Sequence, residues 1–382
     1  MTLDRRYLLN REVQGTDDAV RTVELARAGL LSAIVLRLEC TNGATSGTER
    51  LLDTIDRIEV IADGSDVLFS LEGTELYKWQ YVWQQRAPAQ ILTERAAAVQ
   101  ELSLLIPFGR FIGDPELCLD LSRYQRVELR VDHSPTIAAT AFATGTFTIS
   151  AIEYSWRPGM FAGARRGFLR TRQIRSFTSA ASGEEVFELD RRYPYMGALV
   201  YAREAAIADG VDITIVELRE DAGRVIPYTG NWLDIQMENH ELLDIDPTEE
   251  GVALRTDNGT IDTLLSRIIS ASVQLEDDTG ASDSAHPHGT IASITADRIT
   301  LSVVEVDEDG TQGASGLASA LYPIHWRARG IGIGNAVFLP LALQGNIDNP
   351  YPAPEKSKVQ LALTQGGAGA AVRVSTQELV PL

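Results

Sequence analysis

"LLIPFGRFIGDPELCLDLSRYQRVELRVD", Leu104 to Asp132, recurs in outline 232 or 233 residues later as "FLPLALQGNIDNPYPAPEKSKVQLAL", Phe338 to Leu363. Both copies run an apolar stretch into a proline, Pro107 and Pro340. Both then reach an acidic turn, Asp114-Pro115 and Asp348-Asn349-Pro350. Each closes on an alternating stretch, Val127–Val131 and Val359–Leu363, with the period of two that marks a half-buried strand.

The repeat extends outward from there. "TVELARAGLLSAIVLRLEC" (Thr22–Cys40) matches "VFELDRRYPYMGALVYARE" (Val186–Glu204). "IDRIEVIADGSDVLFSLEGTEL" (Ile55–Leu76) matches "VDITIVELREDAGRVIPYTGNWL" (Val211–Leu233), which sets Gly73-Thr-Glu-Leu76 over Gly230-Asn-Trp-Leu233. "FTISAI" (Phe147–Ile152) matches "AVRVST" (Ala371–Thr376). Identity within each block is low, and the shared order of four blocks carries the argument.

Turn dipeptides Asn42-Gly43, Asp63-Gly64, Asp209-Gly210 and Asp309-Gly310 separate the strands. Short strands with such turns predict an all-β chain of sandwiches. About eight strands per half, mostly joined by connections too long for tight hairpins, suit a jelly roll. "TERAAAVQEL" (Thr93–Leu102) predicts a helix capped by Thr93. Thr16–Arg27 resembles a helix start, yet its repeat partner Val186–Leu189 reads as a strand, so its end is expected to be a strand. The second half carries 76 extra residues between Leu233 and Phe338. They predict a helix at Thr260–Ala271 and strands at Thr290–Ile294 and Arg298–Val306, with Leu275–Thr290 an exposed tip.

Composition sets the limits. The 382 residues suffice for two domains, and 44% apolar with 23% charged residues describe a globular chain. A net charge of −19 argues against a dedicated nucleic-acid binder, which needs a basic surface to displace counterions. Lys78, Lys356 and Lys358 are the only lysines. The arginine bias suits planar contacts to carboxylates and is explained equally well by genome base composition. Cys40 and Cys118 read as buried packing residues, with a disulfide left open. The longest apolar run, Ala28–Leu36, falls well short of the ~20 residues that span a bilayer, and "MTLDRRYLLNRE" lacks the apolar core of an export signal.

Chemical motifs are weak. "GIGIG" (Gly330–Gly334) lacks dinucleotide spacing and reads as a loop approaching a strand. "HPH" (His286, His288) has no third ligand nearby, and "DEDG" (Asp307–Gly310) lacks the spacing of a calcium loop. "NGT" (Asn258–Thr260) matters only in a secreted chain. His133, His240 and His325 are scattered. No catalytic, cofactor or metal site is expected. One basic cluster stands out: Arg165, Arg166, Arg170, Arg172 and Arg175. It reads either as a connection pairing with acidic surfaces or as an inward patch for lipid headgroups, joined by Arg5, Arg6 and Arg11.

With its duplicated late strands and the opening strand "VELARAGLLSAIVLRL", the chain resembles the double jelly-roll major capsid proteins of tailless icosahedral viruses with an internal membrane, the tectivirus and corticovirus-like group. The likeness covers residues 20–382 and rests on pattern rather than on an invariant motif. It implies two tandem eight-stranded jelly rolls with an insertion in the second. The expected division is an N-terminal arm at 1–19, roll one at 20–155, a linker at 156–183 and roll two at 184–382, with a tower-like insertion at about 240–330. The implied function is a structural coat protein, not an enzyme, made in the host cytoplasm and located in the virion. Its partners would be itself as a homotrimer, neighbouring capsomers, penton and minor capsid proteins, and an internal membrane touched through the arm or Arg165–Arg175. Two other classes compete. A bicupin-type enzyme needs a His/Glu metal cluster that neither half offers. A two-domain carbohydrate-binding protein or adhesin would use the five tryptophans (Trp79, Trp83, Trp156, Trp232, Trp326) as stacking platforms.

Overall fold

The structure, a computed structural model, describes residues 3–15, 18–45, 47–157, 165–203, 209–244, 246–255, 259–275, 285–295, 297–307, 322–342 and 346–382. The chain runs twice through one order of eight principal strands and a helix, with the short β6 and β8 added in the first pass and an insertion in the second. The first pass is β1 (Leu3–Val13), β2 (Ala19–Glu24), β3 (Leu30–Thr41), β4 (Ile55–Ala62), β5 (Asp66–Leu71), α1 (Gly73–Gln84), the short β6 (Gln90–Ile91), β7 (Val99–Pro107), the short β8 (Leu119–Asp120), β9 (Val127–His133) and β10 (Thr148–Trp156). The second pass opens with β11 (Gly167–Thr178), β12 (Gly183–Glu188), β13 (Tyr195–Arg203), β14 (Ile213–Glu220), β15 (Val225–Asn231) and α2 (Trp232–Leu243). An insertion follows: β16 (Thr248–Arg255), β17 (Gly259–Asp262), β18 (Ser266–Leu275), β19 (Ala285–Thr295), β20 (Arg298–Asp307) and β21 (Tyr322–Gly332). The pass ends with β22 (Ala336–Pro340), β23 (Val359–Gln365) and β24 (Ala371–Pro381).

Strand order makes the duplication explicit. Roll one packs a β1-β10-β3-β7 sheet against β2-β9-β4-β5; roll two packs β11-β24-β13-β22 against β12-β23-β14-β15. Alternation along β9, with Val127, Leu129 and Val131 buried, puts every second side chain into the sandwich, and β23 repeats it with Val359, Leu361 and Leu363. The rolls are continuous with one another. Strand β5 of roll one pairs in parallel with β11 of roll two, Thr171 opposite Phe69 and Arg172 opposite Ser70, so two four-stranded sheets fuse into one of eight.

Several expectations need correction. Residues 156–183 are expected to be a linker, and residues 167–178 of that interval form β11, the first strand of the second pass. The interval read as an arm, 1–19, holds β1, the same strand of the first pass. Strand β11 (GFLRTRQIRSFT) escapes the alternation rule because carboxylates neutralise its buried arginine.

The predicted helix over Thr93–Leu102 does not form. Backbone groups of this stretch are taken by β16: Glu94 N–H donates to Val252 O at 2.8 Å, and Val252 N–H donates to Leu92 O at 3.0 Å. Ala97 turns left-handed (φ 54°), and β7 begins at Val99. Tertiary pairing overrides alanine propensity here. The predicted helix over Thr260–Ala271 is likewise two strands, β17 and β18. Its apolar residues Ile261, Leu264 and Leu265 are buried as expected, but Arg267 (φ 51°) and the Leu264 N–H bond to Glu249 (2.6 Å) break the helical path. The expected strand at the end of Thr16–Arg27 is β2, and those at Thr290–Ile294 and Arg298–Val306 lie within β19 and β20.

Two helices were not anticipated. Helix α1 is buried on almost every face, so its 3.6-residue period is invisible in the sequence. Its start was nevertheless encoded. Glu72 and Glu75 form a reciprocal capping box, with Glu72 N–H donating to Glu75 Oε2 at 3.2 Å.

Register differs as well. Ile58 and Val216 sit opposite Val131 and Leu363, while Leu71 and Gly230 sit opposite Ile58 and Val216. Gly230 therefore matches Leu71 rather than Gly73, and Ile235, not Leu233, matches Leu76. The offset between halves is thus 159 residues at the helices against 233 at Pro107 and Pro340, leaving 74 inserted residues rather than 76.

The insertion folds as two three-stranded sheets, β16-β21-β18 and β17-β20-β19, around Ile261, Leu265, Ile299, Leu301, Ile324 and Trp326. Roll one helps to hold it. Arg50 bonds the buried Glu249 at 2.8 Å, and the Tyr81 hydroxyl donates to Thr248 O at 2.9 Å. Residues 276–284 of the expected tip lie outside the described residues.

Candidate assembly interface

The contact between the two rolls is the most elaborate feature of the chain, and it is built from residues far apart in sequence. Trp79 on α1 is fully buried; its indole N–H donates to Ser375 Oγ at 2.8 Å, and its ring meets Phe338 edge-on at 5.5 Å. Beside it, Lys78 crosses from roll one to roll two. Its ammonium donates to Gly334 O at 2.6 Å and Ile333 O at 3.2 Å and lies 4.5 Å from the Tyr201 ring. Arg373 bridges back to Glu72 at 2.7 Å, and Arg57 donates to Gln173 Oε1 at 2.6 Å. The "GIGIG" stretch is therefore the end of β21 and the turn into β22, a carbonyl platform for Lys78.

Strand β11 is gripped from roll one's other side too. Cys118 N–H donates to Gly167 O and Leu169 N–H to Phe108 O, both at 2.9 Å. Gly167 (φ 142°) is required at this entry, since a Cβ there would lie 1.9 Å from Val380 O.

All five arginines of the basic cluster are engaged within the chain. Arg165 pairs with Asp120 at 2.6 Å, Arg166 with Asp348, and Arg175 with Glu185 at 2.5 Å. Arg170 and Arg172 converge on Glu378, which is 2% exposed, at 2.7 and 3.2 Å. Of the two readings left open by the sequence, pairing with acidic surfaces is what the geometry shows. Of the N-terminal arginines, Arg6 bonds Glu153 at 2.8 Å and Arg11 pairs with Glu39, while Arg5 donates to the Tyr7 hydroxyl at 2.9 Å.

Among the described residues no group of three or more His, Cys, Asp or Glu is placed to hold a metal ion. His133 is buried against Phe147 (5.2 Å), and burial lowers its pKa. His325 lies 3.5 Å from an Arg95 nitrogen, and His240 sits on α2. The backbones of His286 and His288 belong to β19, Asp307 ends β20, and Asn258 and residues 308–310 lie outside the described residues. Cys40 and Cys118 are free, buried thiols, so the disulfide left open is not formed in this structure, and burial pushes their pKa values up to about 11 and about 12. Four of the five tryptophans, Trp79, Trp156, Trp232 and Trp326, are buried, and Trp83 stacks on Trp79 at 5.4 Å.

The fold is a double jelly roll. Solved structures with the same fold cover the chain from end to end. The major capsid protein of STIV matches with a TM-score of 0.57 at 10% identity, over 100% of this chain and 98% of its own. A structure described as the atomic structure of Sulfolobus Turreted Icosahedral Virus matches with a TM-score of 0.59 at 10% identity, over 99% and 91%. PBCV-1 VP54, fitted into a reconstruction of the virophage Sputnik, gives 0.52 at 10% identity, over 99% and 93%. No family model and no curated relative matches the sequence.

Proposed function

We propose that this chain is the major capsid protein of an icosahedral virus, three copies of which form a capsomer of pseudo-hexagonal outline. The observation that carries the reading is the repetition of one eight-stranded sandwich within a single chain, fused side by side through β5 and β11. Hexagonal packing needs six similar units; three chains of two rolls supply them with closed cyclic symmetry. The full-length likeness to capsid proteins of the same fold supports the assignment. Acting in the virion shell, the chain needs no catalytic centre, and its chemistry is that of interfaces. Neighbouring capsomers, penton and minor capsid proteins are the further partners such a shell requires. Membrane contact through Arg165–Arg175 is not favoured, because carboxylates of the same chain hold all five guanidinium groups. The carbohydrate-binding alternative loses four of its five stacking platforms to the interior, and the fifth, Trp83, is stacked on Trp79.

Light scattering on the purified protein tests the reading. A mass of three 41.7 kDa chains, about 125 kDa, is expected. A monomer at every concentration and salt would overturn it.

A further inference from the structure

Roll one offers roll two a surface made of the β5 edge and α1, and that surface is covered. Among the described residues, the matching surface of roll two, the β15 edge and the outward stripe of α2, carries no strand or helix of the chain. Lys78 and Trp79 are 2% and 0% exposed, whereas Met237, in the place of Lys78, is 40% exposed, and Glu238, in the place of Trp79, is also exposed. Leu233 and Leu242 extend the same exposed stripe of α2, and Val225 and Ile226 continue it on β15. The opposite end of the chain shows the same asymmetry. The outer edge of β11 is paired with β5, but the outer edge of β1, its counterpart, carries no strand among the described residues, and Tyr7 stands exposed beside it.

We propose that the β15–α2 surface of one copy docks on the β1 edge and the outward face of the β1-β10-β3-β7 sheet of a second copy. The contact already made inside the chain is then repeated between chains. This proposal rests on the capsomer reading and specifies the surfaces that build it. An unpaired strand edge beside an apolar stripe is a surface that natural proteins cover, and the internal contact shows what covers its twin.

The register follows from the pairing. Tyr7 and Gln173 lie opposite Ile152 and Ser375, which occupy equivalent places in the two rolls, and a bulge follows each of them, between Tyr7 and Leu9 and between Gln173 and Arg175. Arg5 and Arg6 thus match Thr171 and Arg172. On the other side, Tyr228 and Thr229 lie opposite Leu218 and Glu217 as Phe69 and Ser70 lie opposite Val60 and Glu59. The internal pairs Thr171–Phe69 and Arg172–Ser70 accordingly become Arg5–Tyr228 and Arg6–Thr229 between copies, in parallel strands. Charge is compatible: α2 exposes Asp234, Glu238 and Glu241, and the receiving sheet exposes Arg5, Arg11 and Arg37. The contact is head-to-tail, so it must close into a ring or grow without limit.

The test is cross-linking of the full chain carrying Arg5→Cys and Thr229→Cys with a short bis-maleimide. Cys40 and Cys118 are fully buried and leave a silent background. Covalent species ending at three chains, absent from either single variant, are expected. A three-chain mass by light scattering without cross-links overturns the proposed surface and leaves the capsomer intact. A monomeric mass overturns both. A ladder running past three overturns the closed ring. Independently, Met237→Arg is expected to raise the concentration needed for assembly at least tenfold, and unchanged assembly would contradict the docking.

Discussion

Gln80 and Asn239 hold the same position on α1 and α2, and each carboxamide locks its helix to the same strand of its own roll. Gln80 Oε1 accepts the Leu105 N–H at 3.0 Å; Asn239 Oδ1 accepts the Phe338 N–H at 2.8 Å, and its Nδ2 donates to Phe338 O at 2.7 Å. The overlay of these two amides fixes the register of the halves more firmly than any shared residue type.

The two locks should fail unequally. Gln80→Met strands one buried backbone donor and is expected to cost about 1–3 kcal/mol. Asn239→Leu strands a donor and an acceptor and should cost more, in chemical denaturation of the two variants side by side. Equal losses would mean that the Phe338 carbonyl bond contributes nothing.

Glu75 makes stability depend on pH in an unusual direction. Burial in α1 raises its pKa from 4.5 to about 7. The folded chain then holds a proton that the unfolded chain releases between pH 4.5 and 7, so this group costs stability as pH rises through that window. Its cost is absent below pH 4.5 and constant above 7. Glu75→Gln keeps an acceptor for Glu72 N–H and is expected to stabilise the protein at pH 8 by up to about 3 kcal/mol while leaving it unchanged near pH 4. Thermal melts at the two pH values check this; equal shifts would contradict it.

Trp79→Ala should do more than open a cavity. Large-to-small changes of this kind cost about 3–5 kcal/mol, and here the lost contacts, Phe338 and Ser375, belong to the other roll. The rolls are expected to unfold in one calorimetric transition in the parent chain and in two in the variant. A single transition in both would show that β5–β11 pairing alone couples them.

Much of the fold was legible because β9, β23, β4 and β14 alternate cleanly, and their order repeats. What escaped was whatever tertiary contact hides. The first strand of each roll, β1 and β11, is rich in arginine, and the partners that settle those charges in a sheet, among them Glu153, Glu39, Glu378 and Glu185, are far from them in the linear pattern or carry no local signal. Helix α1 is buried on almost every face, polar residues Glu75, Lys78 and Gln80 included, because roll two covers its second face. Alanine propensity at Ala96–Ala98 yields to the backbone of β16, which no local signal announces. A slip of one residue in aligning Phe147–Ile152 with Ala371–Thr376 was also invisible, though it moves every side chain to the other face of the sheet; the pairing equates Ile152 with Ser375, not Thr376. The assembly surface was the least legible part, since it requires knowing which of two equivalent faces is already covered.

Electron microscopy of the purified protein decides whether three chains form the capsomer. Particles of three chains with threefold symmetry and a near-hexagonal outline, six similar lobes around one axis, are expected. Isolated two-lobed monomers, or open filaments of chains, would contradict it.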